Sequence, residues 1–172
     1  VKATFGGKLR FFVSGGAPLS KEIAEFFHAC DILILEGYGL SESSAATTLN
    51  PPDAFKFGTV GQPIPGTDIK IAEDGEILMS GRGIMKGYYN NEEATAESLS
   101  TDADGKVWLR TGDIGTVLDS GHVKITDRKK EIIITAGGKN IAPAHVQNKL
   151  KARCLYVSEV LMHGDKRNFC VA

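Results

Sequence analysis

A parallel α/β sheet followed by an antiparallel, barrel-like β-module is the fold class this sequence predicts, and three observations predict it. A strand, a helix and a second strand follow one another within residues 9–35, the βαβ pattern that builds a parallel sheet. Over residues 57–125, short apolar stretches alternate with Gly, Pro and Asp turns, the texture of short antiparallel strands. A charge run, Arg128-Lys129-Lys130-Glu131, then precedes a new unit of hairpin and helix. The expected division is an α/β part at 1–56, an antiparallel β part at 57–126, a hinge at 127–131 and a truncated small α+β part at 132–172. The chain opens in what reads as a turn and stops in an apolar run, Asn168-Phe169-Cys170-Val171-Ala172, so an excised piece of a larger protein is expected.

Residues 9–13 form an apolar run broken by Arg10 and read as a buried strand entering the turn Ser14-Gly15-Gly16-Ala17-Pro18. Ser20 is placed to cap a helix over residues 21–29, with Ile23, Ala24, Phe26 and Phe27 as its apolar face. Residues 32–35 read as a second buried strand, with the polar island Glu36-Gly37-Tyr38-Gly39-Leu40-Ser41-Glu42 at its carboxyl end. Ligands of parallel sheets bind outside such strand ends. Antiparallel strands are expected at 69–71, 76–79, 107–109, 116–118 and 122–125, with a short helical turn at 92–98. A hairpin is expected around Gly137-Gly138, then a helix to Leu150 with Pro143 at its first position. Strands are expected at 157–162 and 169–172.

Composition narrows the classes. At 172 residues and 42% hydrophobic, the chain can bury one sizeable core. A net charge of −1 gives no field that would gather nucleic acid or an anionic membrane, so nucleic acid is not an expected partner. The three cysteines lack CxxC spacing and the four histidines are dispersed, which argues against a disulfide framework or a zinc site. No apolar run approaches the roughly 20 residues of a membrane span. No signal-peptide pattern is visible, and a cytoplasmic, thiol-reducing setting is expected.

Two polar islands carry the candidate chemistry: residues 36–42, and Arg110-Thr111-Gly112-Asp113 with residues 126–131. Gly15 to Pro18 offer backbone without bulky side chains, which suits a flat base edge as well as a plain strand-to-helix turn. Tyr38 can stack on an aromatic ligand. Ser41 can donate to a phosphate oxygen, and Glu42 is a hard oxygen ligand suited to Mg²⁺ beside a phosphate. Asp113, at an expected strand end, can accept both hydroxyls of a ribose or simply form an Asx-turn. Arg128 can pair with a ribose or phosphate oxygen, or with a surface acid. Neither Gly-rich stretch is a Walker loop, since no Gly-Lys-Ser/Thr follows. The frame Gly39-Leu40-Ser41-Glu42-Ser43 lacks the final Gly of a hydrolase elbow.

Taken in order, six motifs resemble the adenylate-forming superfamily of acyl-CoA synthetases, luciferases and peptide-synthetase adenylation domains. They are residues 14–19; 37–42; Gly61-Gln62-Pro63-Ile64-Pro65-Gly66; Gly75-Glu76-Ile77 with Gly81 and Gly87-Tyr88-Tyr89-Asn90; Arg110-Thr111-Gly112-Asp113; and Asp127-Arg128-Lys129-Lys130-Glu131. The stretch from Asp127 to Pro143 is most similar to the long-chain fatty acyl-CoA synthetase branch. The resemblance implies the end of an adenosine-binding subdomain, a β-subdomain, a hinge and the start of the small C-terminal domain. It implies ATP, Mg²⁺ and coenzyme A, with a fatty acid as the further small-molecule substrate. It also implies roles: Gly15, Gly16, Ala17, Pro18, Glu36, Gly37 and Tyr38 at the adenine; Ser41 at the α-phosphate; Glu42 at Mg²⁺; Asp113 and Arg128 at the ribose; Lys130 as hinge; and Gly137, Gly138 and Lys139 toward the CoA channel.

Ser41 stands where Thr is commoner in that superfamily, and Asp127 where many members have Gly. The superfamily's phosphate loop and catalytic lysine are expected outside residues 1–172, so an isolated piece is expected to be inactive. Another acyl- or aryl-CoA ligase, a peptide-synthetase adenylation domain and a non-catalytic nucleotide-binding module are the alternative readings. Peripheral membrane association and a homo-oligomer are left open.

Overall fold

The strand–helix–strand unit forms as its pattern requires. In the computed structural model, which describes residues 2–154 and 156–172, β1 (Phe12–Ser14) and β2 (Ile34–Leu40) pair in parallel and are joined through α1 (Lys21–Ala29). Ser20 caps α1, its hydroxyl accepting from the Ile23 amide at 3.4 Å. Of the expected apolar face only Ala24 is buried, while Phe26 remains 64% exposed. The periodicity located the helix, but the elements packed against it cover one residue of its stripe.

β2 does not stop at Leu35. It runs through the first polar island, because β3 (Ala45–Leu49) folds back antiparallel and pairs with it from Gly37 to Leu40. Residues 36–40 of the island are therefore strand, and its last two residues, Ser41 and Glu42, open a short 3₁₀ turn, Ser41–Ser43. Gly39 makes this pairing possible: a Cβ there would overlap the Ala45 carbonyl across the strands. β4 (Gln62–Pro63) extends this sheet to four strands in the order β1-β2-β3-β4. β3 was not expected from the sequence, since Ala-Ala-Thr-Thr lacks the bulky alternation that marks a strand.

The second sheet contains β5 (Thr67–Ile71), β6 (Glu76–Gly81), β7 (Leu99–Thr101), β8 (Val107–Val117) and β9 (Val123–Arg128), with α2 (Glu92–Ser98) leading into β7. The order is β5-β6-β8-β7, and β9 also pairs with β8. This is an open antiparallel sheet; no barrel closes among the described residues. The two strands expected at 107–109 and 116–118 are one strand, β8, which pairs with β7 through residues 107–109 and with β9 through residues 113–117. Ile77, Met79, Leu109 and Val123 form the buried core, with Tyr38, Leu40 and Val60 from the first sheet's side packed against it. Burying each of these large side chains contributes about 1.5–3 kcal/mol. The Val60 amide donates to Val123 O at 2.9 Å and the Val123 amide to Gly61 O at 2.7 Å, which stitches the two sheets together.

Beyond β9, β10 (Ile133–Ile134) and β11 (Asn140–Ile141) make the expected hairpin, and α3 (Pro143–Arg153) follows with its proline in the first turn. The strands expected at 157–162 and 169–172 are absent among the described residues; a single bridge, His163 to Val171, stands in their place. A strand needs a paired edge and a covered face, and Leu161 and Phe169 are exposed.

Candidate functional site

The two polar islands are brought together mainly on strands: residues 36–40 lie in β2, 110–113 in β8 and 126–128 in β9, while Ser41, Glu42 and residues 129–131 lie in turns. On β8 the register against β6 passes from Leu78↔Arg110 to Glu76↔Ile114, so β8 carries extra residues at 111–113. Such a bulge re-aims side chains. Gly112 supplies the left-handed conformation it needs, at φ +73°. The Thr111 hydroxyl donates to Ile77 O at 2.8 Å and accepts from the Asp113 amide at 3.1 Å. The Gly112 amide donates to Glu76 Oε1 at 2.9 Å, and the Lys129 amide donates to Gly112 O at 2.8 Å.

This bulge places Asp113 inside the protein, its side chain 5% exposed, directly across the ladder from Arg128. Arg128 Nε lies 3.3 Å from Asp113 Oδ1, while the Tyr38 hydroxyl donates to Oδ2. Burial, and then the carboxylate it bonds, hold the Tyr38 phenol far above its ordinary range, so it stays a donor. The expected strand-end position of Asp113 is thereby corrected: it sits within β8, and its burial comes from the bulge and from Tyr38.

Tyr38 also lines an open cleft of about 410 Å³ with Gly15, Gly16, Gly37, Ser41 and Ala45. A Cβ on Gly15 would meet Gly37 O at 3.2 Å, so the turn after β1 and the backbone of β2 lie close enough to form one wall. Of the expected adenine and phosphate residues, Gly15, Gly16, Gly37, Tyr38 and Ser41 therefore share this cleft. Ala17 and Pro18 are exposed on the loop into α1 and are not among its lining residues. Nor is Glu36, which is buried within β2; burial raises its carboxyl above the ordinary value, opposed by a bond from the Leu19 backbone. Its carbonyl accepts from the Asn50 amide at 2.9 Å, which gives it a structural part in the sheet.

Glu42 follows Ser41 but does not line the cleft either; its Oε1 accepts from the Tyr88 hydroxyl at 2.7 Å. No group of three His, Cys, Asp or Glu side chains among the described residues could hold a metal by itself. One carboxylate beside a hydroxyl fits Mg²⁺ that is completed by phosphate oxygens and water rather than by a protein cage. Lys130 is exposed in the turn after β9, where the Glu131 and Ile132 amides donate to Arg128 O. Gly137, Gly138 and Lys139 are exposed on the separate β10–β11 hairpin, which Thr135 closes onto Lys139. Sequence reasoning gave no role to Glu76 or Thr111, the two side chains that shape the bulge. An acid opening the apolar run Ile77-Leu78-Met79 was the available signal.

Known proteins share sequence and fold with this chain. The family model described as AMP-binding enzyme matches residues 1–89. The long-chain-fatty-acid–CoA ligase FadD15 of Mycobacterium bovis is 45% identical over 169 residues, which cover 98% of this chain and 27% of that protein. The long-chain-fatty-acid–CoA ligase heimdall of Drosophila melanogaster is 42% identical over 165 residues, 93% of this chain and 24% of its own length. The chain thus spans about a quarter of the curated relatives it matches. Among solved structures, O-succinylbenzoate coenzyme A synthetase of Bacillus subtilis, in complex with ATP and magnesium ion, superimposes with a TM-score of 0.79 at 29% identity, over 98% of this chain and 38% of that one. With more than half of its residues matched by the family model, this chain belongs to the AMP-binding enzymes, the adenylate-forming family.

Proposed function

We propose that this chain is the adenosine-facing part of an ATP-dependent long-chain fatty acid–CoA ligase. In the first half-reaction a fatty acid carboxylate attacks the α-phosphate of ATP, giving an acyl-adenylate and pyrophosphate. In the second, coenzyme A thiolate attacks the acyl carbon, giving the thioester and AMP. The observation that carries the reading is the buried Asp113 carboxylate, which is not itself a lining residue of the cleft but accepts from the hydroxyl of Tyr38, which is one. Asp113 accepts the ribose hydroxyls, assisted by Arg128, and a buried carboxylate binds them more strongly than an exposed one because water competes less. The backbone of Gly15, Gly16 and Gly37 faces the adenine with Tyr38. Ser41 donates to the α-phosphate. Mg²⁺, held by Glu42 and phosphate oxygens, would neutralise the charge of the departing pyrophosphate.

Lys130 is the proposed hinge, and the Gly137–Lys139 hairpin the part that meets coenzyme A after rotation. A site that must first shelter an anhydride displacement and then admit a bulky thiol has reason to move. Higher identity to long-chain ligases than to the O-succinylbenzoate enzyme supports the fatty-acid branch over an aryl one. No helix among the described residues is long and apolar enough to cross a membrane. A cytoplasmic enzyme with peripheral membrane contact is the proposed setting. The test is Asp113→Ala in the full-length protein. Losing one or two charge-assisted bonds of about 1.5–3 kcal/mol should raise the KM for ATP at least tenfold. Unchanged ATP kinetics would remove the ribose role.

A further inference from the structure

Glu76 is a buried carboxylate that the proposed chemistry does not use. Its side chain is 4% exposed, and a charge so placed is retained only with partners that satisfy it. Its Oε1 accepts from the Gly112 amide at 2.9 Å. Its Oε2 accepts from Lys129 Nζ at 3.0 Å and, at 3.4 Å, from the Arg110 guanidinium. Lys129 Nζ also reaches Asp74 Oδ2 at 2.6 Å, and these two carboxylates hold the ammonium above its ordinary range.

Lys129 in turn donates its own backbone N–H to Gly112 O at 2.8 Å. Glu76 and Lys129 therefore grip the same residue, one at its amide and the other at its carbonyl, and are bonded to each other. No heavy atom lies within 4 Å of where a Gly112 Cβ would be, and the Thr111 hydroxyl, accepting from the Asp113 amide, braces the same bulge. Hydrogen bonds at both the amide and the carbonyl of Gly112 hold its left-handed conformation, and that conformation sets the direction in which the next residue, Asp113, leaves the bulge.

We infer that Glu76 is a positioning residue of the nucleotide site, acting through Gly112 and with Lys129 to present Asp113 to the ribose. The inference rests on the reading of Asp113 as the ribose acceptor. It makes Glu76 and Lys129 responsible for ribose recognition without touching the nucleotide.

The experiment measures, in the full-length protein, calorimetric binding of AMP and of 2′,3′-dideoxy-AMP, which lacks the hydroxyls Asp113 would accept. Glu76→Gln keeps the side chain's shape and removes its charge, and Lys129→Met removes the partner cation. Glu76→Gln should weaken AMP about tenfold, the equivalent of one charge-assisted bond, and dideoxy-AMP less than about twofold. Lys129→Met should shift AMP in the same direction by a smaller factor, and it decides the matter if Glu76→Gln does not fold. Equal losses for the two nucleotides, as general damage would produce, or undiminished AMP binding, would overturn the inference. Asp113→Ala is the control. If it weakens both nucleotides equally, the ribose reading itself fails; if it is selective and the Glu76 and Lys129 variants are not, the positioning role alone fails.

Discussion

Removing the Tyr38 hydroxyl is the sharpest perturbation the structure offers. Asp113 is 5% exposed, and its two protein partners are unequal. Arg128 approaches at 3.3 Å but is 61% exposed, so water and salt weaken that pair. The Tyr38 hydroxyl, from a half-buried ring packed against the core, is the partner shielded from solvent. Tyr38→Phe keeps the ring and deletes one hydrogen bond to a charged, desolvated oxygen, a loss of about 1.5–3 kcal/mol. At this chain's length each kcal/mol lowers Tm by about 2–4 °C, so a fall of roughly 3–12 °C is expected, and a smaller one in a longer protein. The assay is thermal melting of the wild type, Tyr38→Phe, Asp113→Asn and the double variant at neutral pH. The two losses should not add fully, because both act on the Tyr38–Asp113 bond. Saturating AMP should narrow the Tyr38→Phe deficit, since ribose hydroxyls supply donors to the same carboxylate. A Tyr38→Phe melt indistinguishable from wild type, or losses that add fully, would refute the assignment of that buried bond.

Gly39→Ala and Gly112→Ala should separate steric from conformational cost. At Gly39 the new methyl would overlap the Ala45 carbonyl and force β2 and β3 apart, whereas at Gly112 it meets nothing within 4 Å and costs about 1–2 kcal/mol for the left-handed backbone. Gly39→Ala should therefore lower Tm more, and the reverse order by calorimetry would contradict the described register. Glu36→Gln should be stabilising in a pH-dependent way. Burial raises the folded-state pKa of Glu36 above 4.5, so its stability contribution is complete below that value and lost as pH rises through the folded pKa. The variant should melt higher than wild type near neutral pH, and the gap should close toward about pH 4; a gap independent of pH would remove burial as its cause.

Legibility in the sequence followed the range of the forces involved. α1 was read to its residue limits because its cap, Ser20, and its periodic face lie within one segment. α2 was expected only as a short helical turn at 92–98, and the structure supplies its cap, Asn91, whose side chain accepts from the Ala94 amide. The β2 extension was not legible. Gly37 and Gly39 are turn signals taken locally, and only the return of β3 shows that they admit a neighbouring strand. The same reason hid the continuity of β8, where Gly112 and Asp113 carry the composition of a turn but sit in a bulge between β6 and β9.

By itself the sequence determined which chemistry is present and in what order: the βαβ start, the antiparallel middle, the charged segment after it, and the set of hydroxyl, carboxylate, ring and guanidinium that places the chain in its family. Local propensity and motif spacing are enough for that, because they depend on residues a few positions apart. The tertiary structure alone decided which of those groups meet. Tyr38 and Asp113 are 75 residues apart, and Glu76 and Lys129 are 53. Their contacts depend on strand register and on one bulge, which set which polar side chains share a site shielded from water. Shielding from water is what turns an acid on a strand into a strong acceptor, and it arises only when distant segments pack.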